Sequence, residues 1–115
     1  MALYSQQGKN TMKKLTVADL KPSGSRLMPE ELAAAIARGG LYIFKPGEIA
    51  HPEPRHVHDT AEVFIFVQGT GVIPIDGVEY PVKTGDVVVV EAGEDHHTRS
   101  SVDDPLVAAW YVMAA

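Results

Sequence analysis

From residue 41 to residue 113 the chain is a succession of short apolar runs cut by turn residues, and nothing else limits its folding as strongly. The runs at 41–45, 63–67, 72–75, 78–82, 87–90 and 106–113 are rich in Val, Ile and aromatic residues. Between them stand Pro46-Gly47, Gly69-Thr70-Gly71, Asp76-Gly77 and Gly85-Asp86. Runs of this length bounded by such residues read as strands. Asp76-Gly77 is the signature of a two-residue hairpin. Val87-Val88-Val89-Val90 has no polar alternation and must be buried on both faces. Further short strands are expected at 55–58, leading into 63–67, and at 96–100. Some eight strands with tight turns predict an all-β sandwich or barrel. One short N-terminal helix is expected at 29–38, with Pro29 in its first turn, Glu30 and Glu31 near its N-terminus and Gly39-Gly40 ending it.

A chain of 115 residues is long enough for one domain and too short for two. Residues 1–14 read as a flexible N-terminal extension, with Met12-Lys13-Lys14 resembling an alternative start, and 15–115 as a single domain with its barrel core at about 41–113. The formal net charge of −5 argues against a broad grip on nucleic acid or an anionic membrane. No cysteine is present, so disulfides, thiolate nucleophiles and sulfur-ligated metals are excluded. The polar first ten residues lack the apolar run of a signal peptide, and no segment approaches a membrane span; the expected location is cytoplasmic.

The chemistry concentrates in His56-Val57-His58-Asp59-Thr60-Ala61-Glu62 and in His96. Side chains alternate along an extended strand, so His56 and His58 point to one side and Glu62 shares their parity. Three imidazoles and a carboxylate suit one divalent transition metal: Fe, Mn, Ni, Zn, Co or Cu. By the same parity Glu62, Phe64 and Phe66 face the barrel interior. Val63, Ile65 and Val67 face outward and need a cover, which the N-terminal segment or, preferably, the second subunit of a homodimer would supply.

These residues resemble the cupin family. Its first motif runs His-x-His, three or four residues, Glu, six residues, Gly, and this chain has His56-x-His58-x3-Glu62-x6-Gly69. Its second motif is matched by Gly85-x5-Glu91-x-Gly93-x2-His96-x3-Ser100, with 15 residues between the two. The resemblance implies a small single-domain metal-binding cupin: a jelly-roll, or double-stranded β-helix, barrel with His56, His58, Glu62 and His96 as ligands. Three departures mark this chain. Eight residues separate Gly47 from His56 instead of the usual five, Glu91 replaces a proline, and Ser100 replaces an asparagine.

Within that frame the expected function is a metal-dependent small-molecule enzyme, with a dioxygenase foremost. A metal-dependent isomerase or lyase and a non-enzymatic sugar or carboxylate binder are the alternatives. An isomerase or lyase wants a positioned acid or base, for which Glu91 and His97 are the candidates. Tyr42, Phe64, Phe66 and Trp110 are candidates to contact substrate, and Arg55 and Arg99 to pair with an anionic one. His51, in a proline-rich loop, is a candidate for the pocket mouth. Tyr80 and Tyr111 are expected in the core.

Overall fold

The computed structural model describes residues 12–16 and 36–115. Eight strands occur among them: β1 (Lys13–Thr16), β2 (Ile36–Ile43), β3 (Glu62–Gln68), β4 (Thr70–Ile75), β5 (Val78–Lys83), β6 (Asp86–Val90), β7 (Arg99–Ser100) and β8 (Val107–Met113). They form a five-stranded sheet in the order β1-β6-β3-β8-β2 and a three-stranded sheet in the order β5-β4-β7. The pairings within both sheets are antiparallel. This is the all-β barrel that the run-and-turn pattern predicts.

Local chemistry accounts for several elements directly. Asp76 and Gly77 both have positive φ, 48° and 82°, and the hairpin closes at the Ile75–Val78 pair, as a two-residue turn between twisted strands requires. β6 is buried along its whole length. Val88 and Val90 face the main core with Phe66, Ile73, Ile75 and Leu106, while Val87 and Val89 face a second cluster with Leu15, Val63 and Met113. Tyr80 joins the main core, and Tyr111 packs beside the second cluster.

That second cluster answers the outward stripe of β3. Val63 is fully buried, and β1, paired to β6 with Leu15 opposite Val87, helps cover it. Burying one valine side chain is worth about 1.5–3 kcal/mol, so β1 is part of the domain and not an appendage. Met12 is fully buried in the main core as well. The domain therefore begins by Met12, inside the stretch assigned to an N-terminal extension; residues 1–11 lie outside the described ones. The cover is partial: Val67, Leu41 and Ile43 stay 49%, 62% and 69% exposed.

The helix expectation fails where it can be examined. Residues 36–38 belong to β2, residues 29–35 lie outside the described ones, and no helix occurs among the described residues. Gly39-Gly40 does not end a helix but sits in mid-strand opposite Tyr111 and Trp110. A Cβ at Gly39 would lie 2.5 Å from the Trp110 carbonyl oxygen and 2.6 Å from the Tyr111 ring, so β2 packs this closely only with glycine there. Residues 55–58 are not a strand either. Pro52 and Pro54 cannot donate to a ladder, and extended pairing resumes at Glu62. The strand expected at 96–100 reduces to β7 and an isolated bridge between His96 and Ile75.

Candidate metal centre

Although 56–58 is irregular, its backbone is pinned to the turn that carries His96. The His96 amide donates to the His56 carbonyl at 3.1 Å, and the Gly93 amide donates to the His58 carbonyl at 2.9 Å. Asp95 is the hub of this contact. Its Oδ1 accepts from the His56 amide at 2.6 Å, and its own amide donates to Asp76 Oδ1 at 2.8 Å. The β4–β5 hairpin thus fixes the position of His56. Glu62, the first residue of β3, supplies the fourth group.

The four side chains converge. The ligand-capable nitrogens of His56, His58 and His96 lie within 4.8 Å of one another. Glu62 Oε1 stands 2.9 Å from His58 Nε2 and 2.9 Å from His96 Nε2. His96 Nδ1 donates to the Glu94 carbonyl at 3.0 Å, which leaves its Nε2 lone pair facing the centre. His56 Nδ1 lies 3.1 Å from Glu53 Oε2; donating there fixes its tautomer in the same sense. His56 Nε2 is buried and has no hydrogen-bond partner. A buried acceptor without a partner is costly, and a cation at the common focus would satisfy it. Three imidazole nitrogens this close together, with the Glu62 carboxylate against two of them, suit a transition metal, whose bonds to such atoms are about 2.0–2.2 Å long.

Electrostatics follow from this packing. Burial pulls the His56 imidazole below its ordinary pKa, reinforced by the neighbouring histidines, and so favours the neutral form a metal needs. Burial also acts to lower His96, but the Glu62 carboxylate and the Glu94 carbonyl outweigh it and hold its pKa up. A second trio, His51, Glu53 and His56, also places ligand-capable atoms together. It shares His56 with the first, through the nitrogen that donates to Glu53. Glu53 stands where a carboxylate behind a candidate ligand histidine would.

A cleft of about 450 Å³ opens beside the four residues. His56, His58 and Glu62 line it, and Phe64, Trp110 and Val112 form its apolar wall. His51, Tyr42 and Glu48 also line it. His51 stacks flat on His56, with ring centroids 3.5 Å apart, in a backbone conformation of positive φ (58°). The Tyr42 hydroxyl donates to Glu48 Oε2, and that contact is the main reason its pKa is raised.

The structure therefore brings together the four expected ligands and places Tyr42, Phe64, Trp110 and His51 at the cleft. Other expectations are corrected. Phe66 is fully buried in the main core and does not line the cleft. Arg99 pairs with Glu79 at 3.4 Å on the three-stranded sheet, and Arg55 is exposed outside the cleft. Glu91 also lies outside, 4.0 Å from Lys13. His97 supports the cleft without lining it: its Nδ1 donates to the His51 carbonyl at 2.7 Å and its Nε2 lies 2.8 Å from Asp95 Oδ1. Two charged cleft residues escape the sequence reading, Arg38 and Glu48. Arg38 had a usable signal, since it shares the parity of Tyr42 two pairs along β2, but only once 36–43 is taken as a strand.

Comparison with known proteins agrees with this architecture. A family model described as Cupin domain matches residues 40–112. The dimethylsulfoniopropionate lyase DddW of Ruegeria pomeroyi is 26% identical over 76 residues, covering 66% of this chain and 45% of that protein. The plu4264 protein of Photorhabdus luminescens superposes with a TM-score of 0.55 at 27% identity, over 64% of this chain and 60% of that one. This chain thus spans less than two thirds of either relative. A predicted oxalate decarboxylase of Thermotoga maritima, 19% identical, superposes with a TM-score of 0.62 over 90% of this chain and 81% of that one, a likeness of fold. No helix among the described residues is long and apolar enough to cross a membrane.

Proposed function

This chain belongs to the cupin domain family, and from that membership we propose that it is a metal-dependent enzyme acting on a small organic molecule. His56, His58, Glu62 and His96 hold one divalent transition metal in this reading. The observation that carries it is His56 Nε2, buried without a partner in a residue whose ligand-capable atom lies within 4.8 Å of those of His58 and His96. Four protein ligands leave room on a six-coordinate ion, and the cleft runs to that side of the site. With iron bound, the centre supplies redox chemistry toward O₂, and oxygenation is the reaction we place first. The protein's part is to admit substrate along Phe64 and Trp110 and exclude water there.

A lyase or decarboxylase is the second reading, favoured by the Tyr42 hydroxyl held by Glu48 at the cleft, a proton-carrying group of the kind such chemistry wants. One experiment separates the two. The protein is reconstituted with Fe(II), and O₂ uptake is followed with diketones, thiols, flavonoids and small organic acids. Uptake with one substrate class supports oxygenation. Turnover that persists without O₂ or with zinc assigns the lyase reading. Failure to retain any divalent metal overturns both.

The homodimer belongs to the same proposal. Leu41, Ile43 and Val67 are the apolar residues that β1 leaves exposed and a second copy would cover. Sedimentation should give twice the 12.4 kDa chain mass, with Leu41→Glu shifting it to monomer; a wild-type monomer at tens of micromolar overturns the dimer.

A further inference from the structure

The inner face of the large sheet is organised in cross-strand rows, and one row links the metal centre to an arginine. Arg38 on β2 pairs with Val112 on β8, which pairs with Glu62 on β3. Neighbouring strands lie about 4.8 Å apart, so the Arg38 and Glu62 backbones stand about 10 Å from each other across the cleft. The next row is Gly40, Trp110 and Phe64. Gly40 has no side chain, and the Trp110 indole occupies that space: its Nε1 would lie 3.5 Å from a Cβ at Gly40. The indole N–H and the Arg38 guanidinium thus belong to adjacent rows at the β2 side of the same cleft.

Neither donor is used within the described protein. The other charged cleft residues are engaged: Glu48 with Tyr42 and the Lys45 amide, Glu62 with His58 and His96, His56 with Glu53. Among the described residues the Arg38 side chain makes no ion pair or hydrogen bond, and the Trp110 indole N–H reaches no acceptor. Asp59, in the smaller cleft that Arg38 also borders, makes no ion pair with it. A guanidinium is a fork of N–H donors matched to a carboxylate. Val112 lies between Arg38 and Glu62 in the register, Phe64 and the indole line the same cleft, and all three are apolar.

We propose that the cleft binds a small organic acid lengthwise: its carboxylate is held by Arg38 and the Trp110 indole N–H, its short apolar body crosses Val112 and Phe64, and an oxygen at its far end meets the metal. This rests on the metal reading above and adds the substrate class to it. Arg38 is then a specificity residue, selecting ligands that carry an anion about one sheet-row's width from the metal-binding oxygen. A neutral ligand of the same length leaves the fork unused.

The test uses nickel-loaded full-length protein and three synthetic probes. Each has a hydroxamate to meet the metal and a chain of three methylenes, ending in a carboxylate, a carboxamide or a methyl group. Calorimetric titration should give the carboxylate probe about tenfold tighter binding than the carboxamide, the scale of one charge-assisted hydrogen-bonded pair partly open to water. Arg38→Ala should erase that preference, Arg38→Lys should keep part of it, and Arg38→Glu should invert it. Nickel affinity should be the same in all four proteins. Equal binding of carboxylate and carboxamide by nickel-loaded wild type, or a preference surviving in Arg38→Ala, overturns the assignment. A wild type that takes up no nickel instead overturns the metal reading on which the assignment stands.

Discussion

His56→Ala is expected to lower metal affinity by more than about a hundredfold while leaving the metal-free protein nearly as stable as the wild type. Losing a group behind a ligand typically costs about 10–100-fold in affinity, and loss of the ligand itself exceeds that. The stability half of this expectation comes from the orphaned nitrogen. In the metal-free protein His56 Nε2 has no partner to lose. What truncation removes is the 3.1 Å contact of Nδ1 with the exposed Glu53 carboxylate and the stacking on His51. Both partners are exposed to solvent, so little stability is lost with them. Heating wild type with a metal at about a hundred times its dissociation constant should add about 2.7 kcal/mol of stability, and the variant should gain almost none at the same concentration. Calorimetric titration and thermal melts read the two halves separately. An unchanged metal affinity would remove His56 from the ligand set. A metal-free variant several kcal/mol less stable would mean that His56 is there for packing.

How far the chain discloses itself depends on the range over which each feature is decided. The Asp76-Gly77 hairpin and the fully buried valine run of β6 are decided locally, by backbone conformations open to Asp and Gly and by the absence of polar alternation, and both are legible. The four candidate ligands are legible from their spacing, yet strand alternation is not what brings them together. His56 and His58 do not alternate along a strand. They are held by the hydrogen bonds of 56–58 to the 93–96 turn and by Asp95, partners 35 or more residues away that no local pattern announces.

Residues 29–38 read as helix because alanine, arginine and glutamate favour it locally. Residues 36–38 take the strand state because β8 is there to pair with them, and Gly39 lets the two backbones close up. Tertiary pairing overrides propensity here, with a functional consequence, since Arg38 enters the cleft only as a strand residue. Arg55 and Arg99 mislead for the opposite reason. They adjoin the ligands in sequence, but one is exposed and the other faces Glu79. Proximity along the chain is a poor guide to a cleft wall assembled from β2, β3 and β8.

Gly69→Ala is expected to destabilise the fold by more than about 3 kcal/mol, whereas Gly77→Ala should cost about 1–2 kcal/mol, the penalty for placing an L-residue in a left-handed conformation. The two glycines have nearly the same backbone, with φ of 84° and 82°, so intrinsic conformational strain cancels in the comparison. They differ in what surrounds them. A Cβ at Gly77 meets nothing within 4 Å, while one at Gly69 would lie 2.0 Å from the Pro105 carbonyl oxygen and 2.7 Å from that of Asp104. Both contacts are backbone, so no side chain can swing aside. The 104–105 turn would have to move off the β3–β4 corner, breaking the 2.9 Å hydrogen bond from the Thr70 amide to Asp104 and loosening Leu106, which is fully buried in the main core. Urea midpoints of the two variants measure the difference. Equal midpoints would mean that the 104–105 turn yields freely and that Gly69 serves only its own backbone angle. A lower midpoint for Gly69→Ala identifies the glycine that closes the first histidine motif as a packing requirement of the barrel, independent of any metal bound at His56, His58, Glu62 and His96.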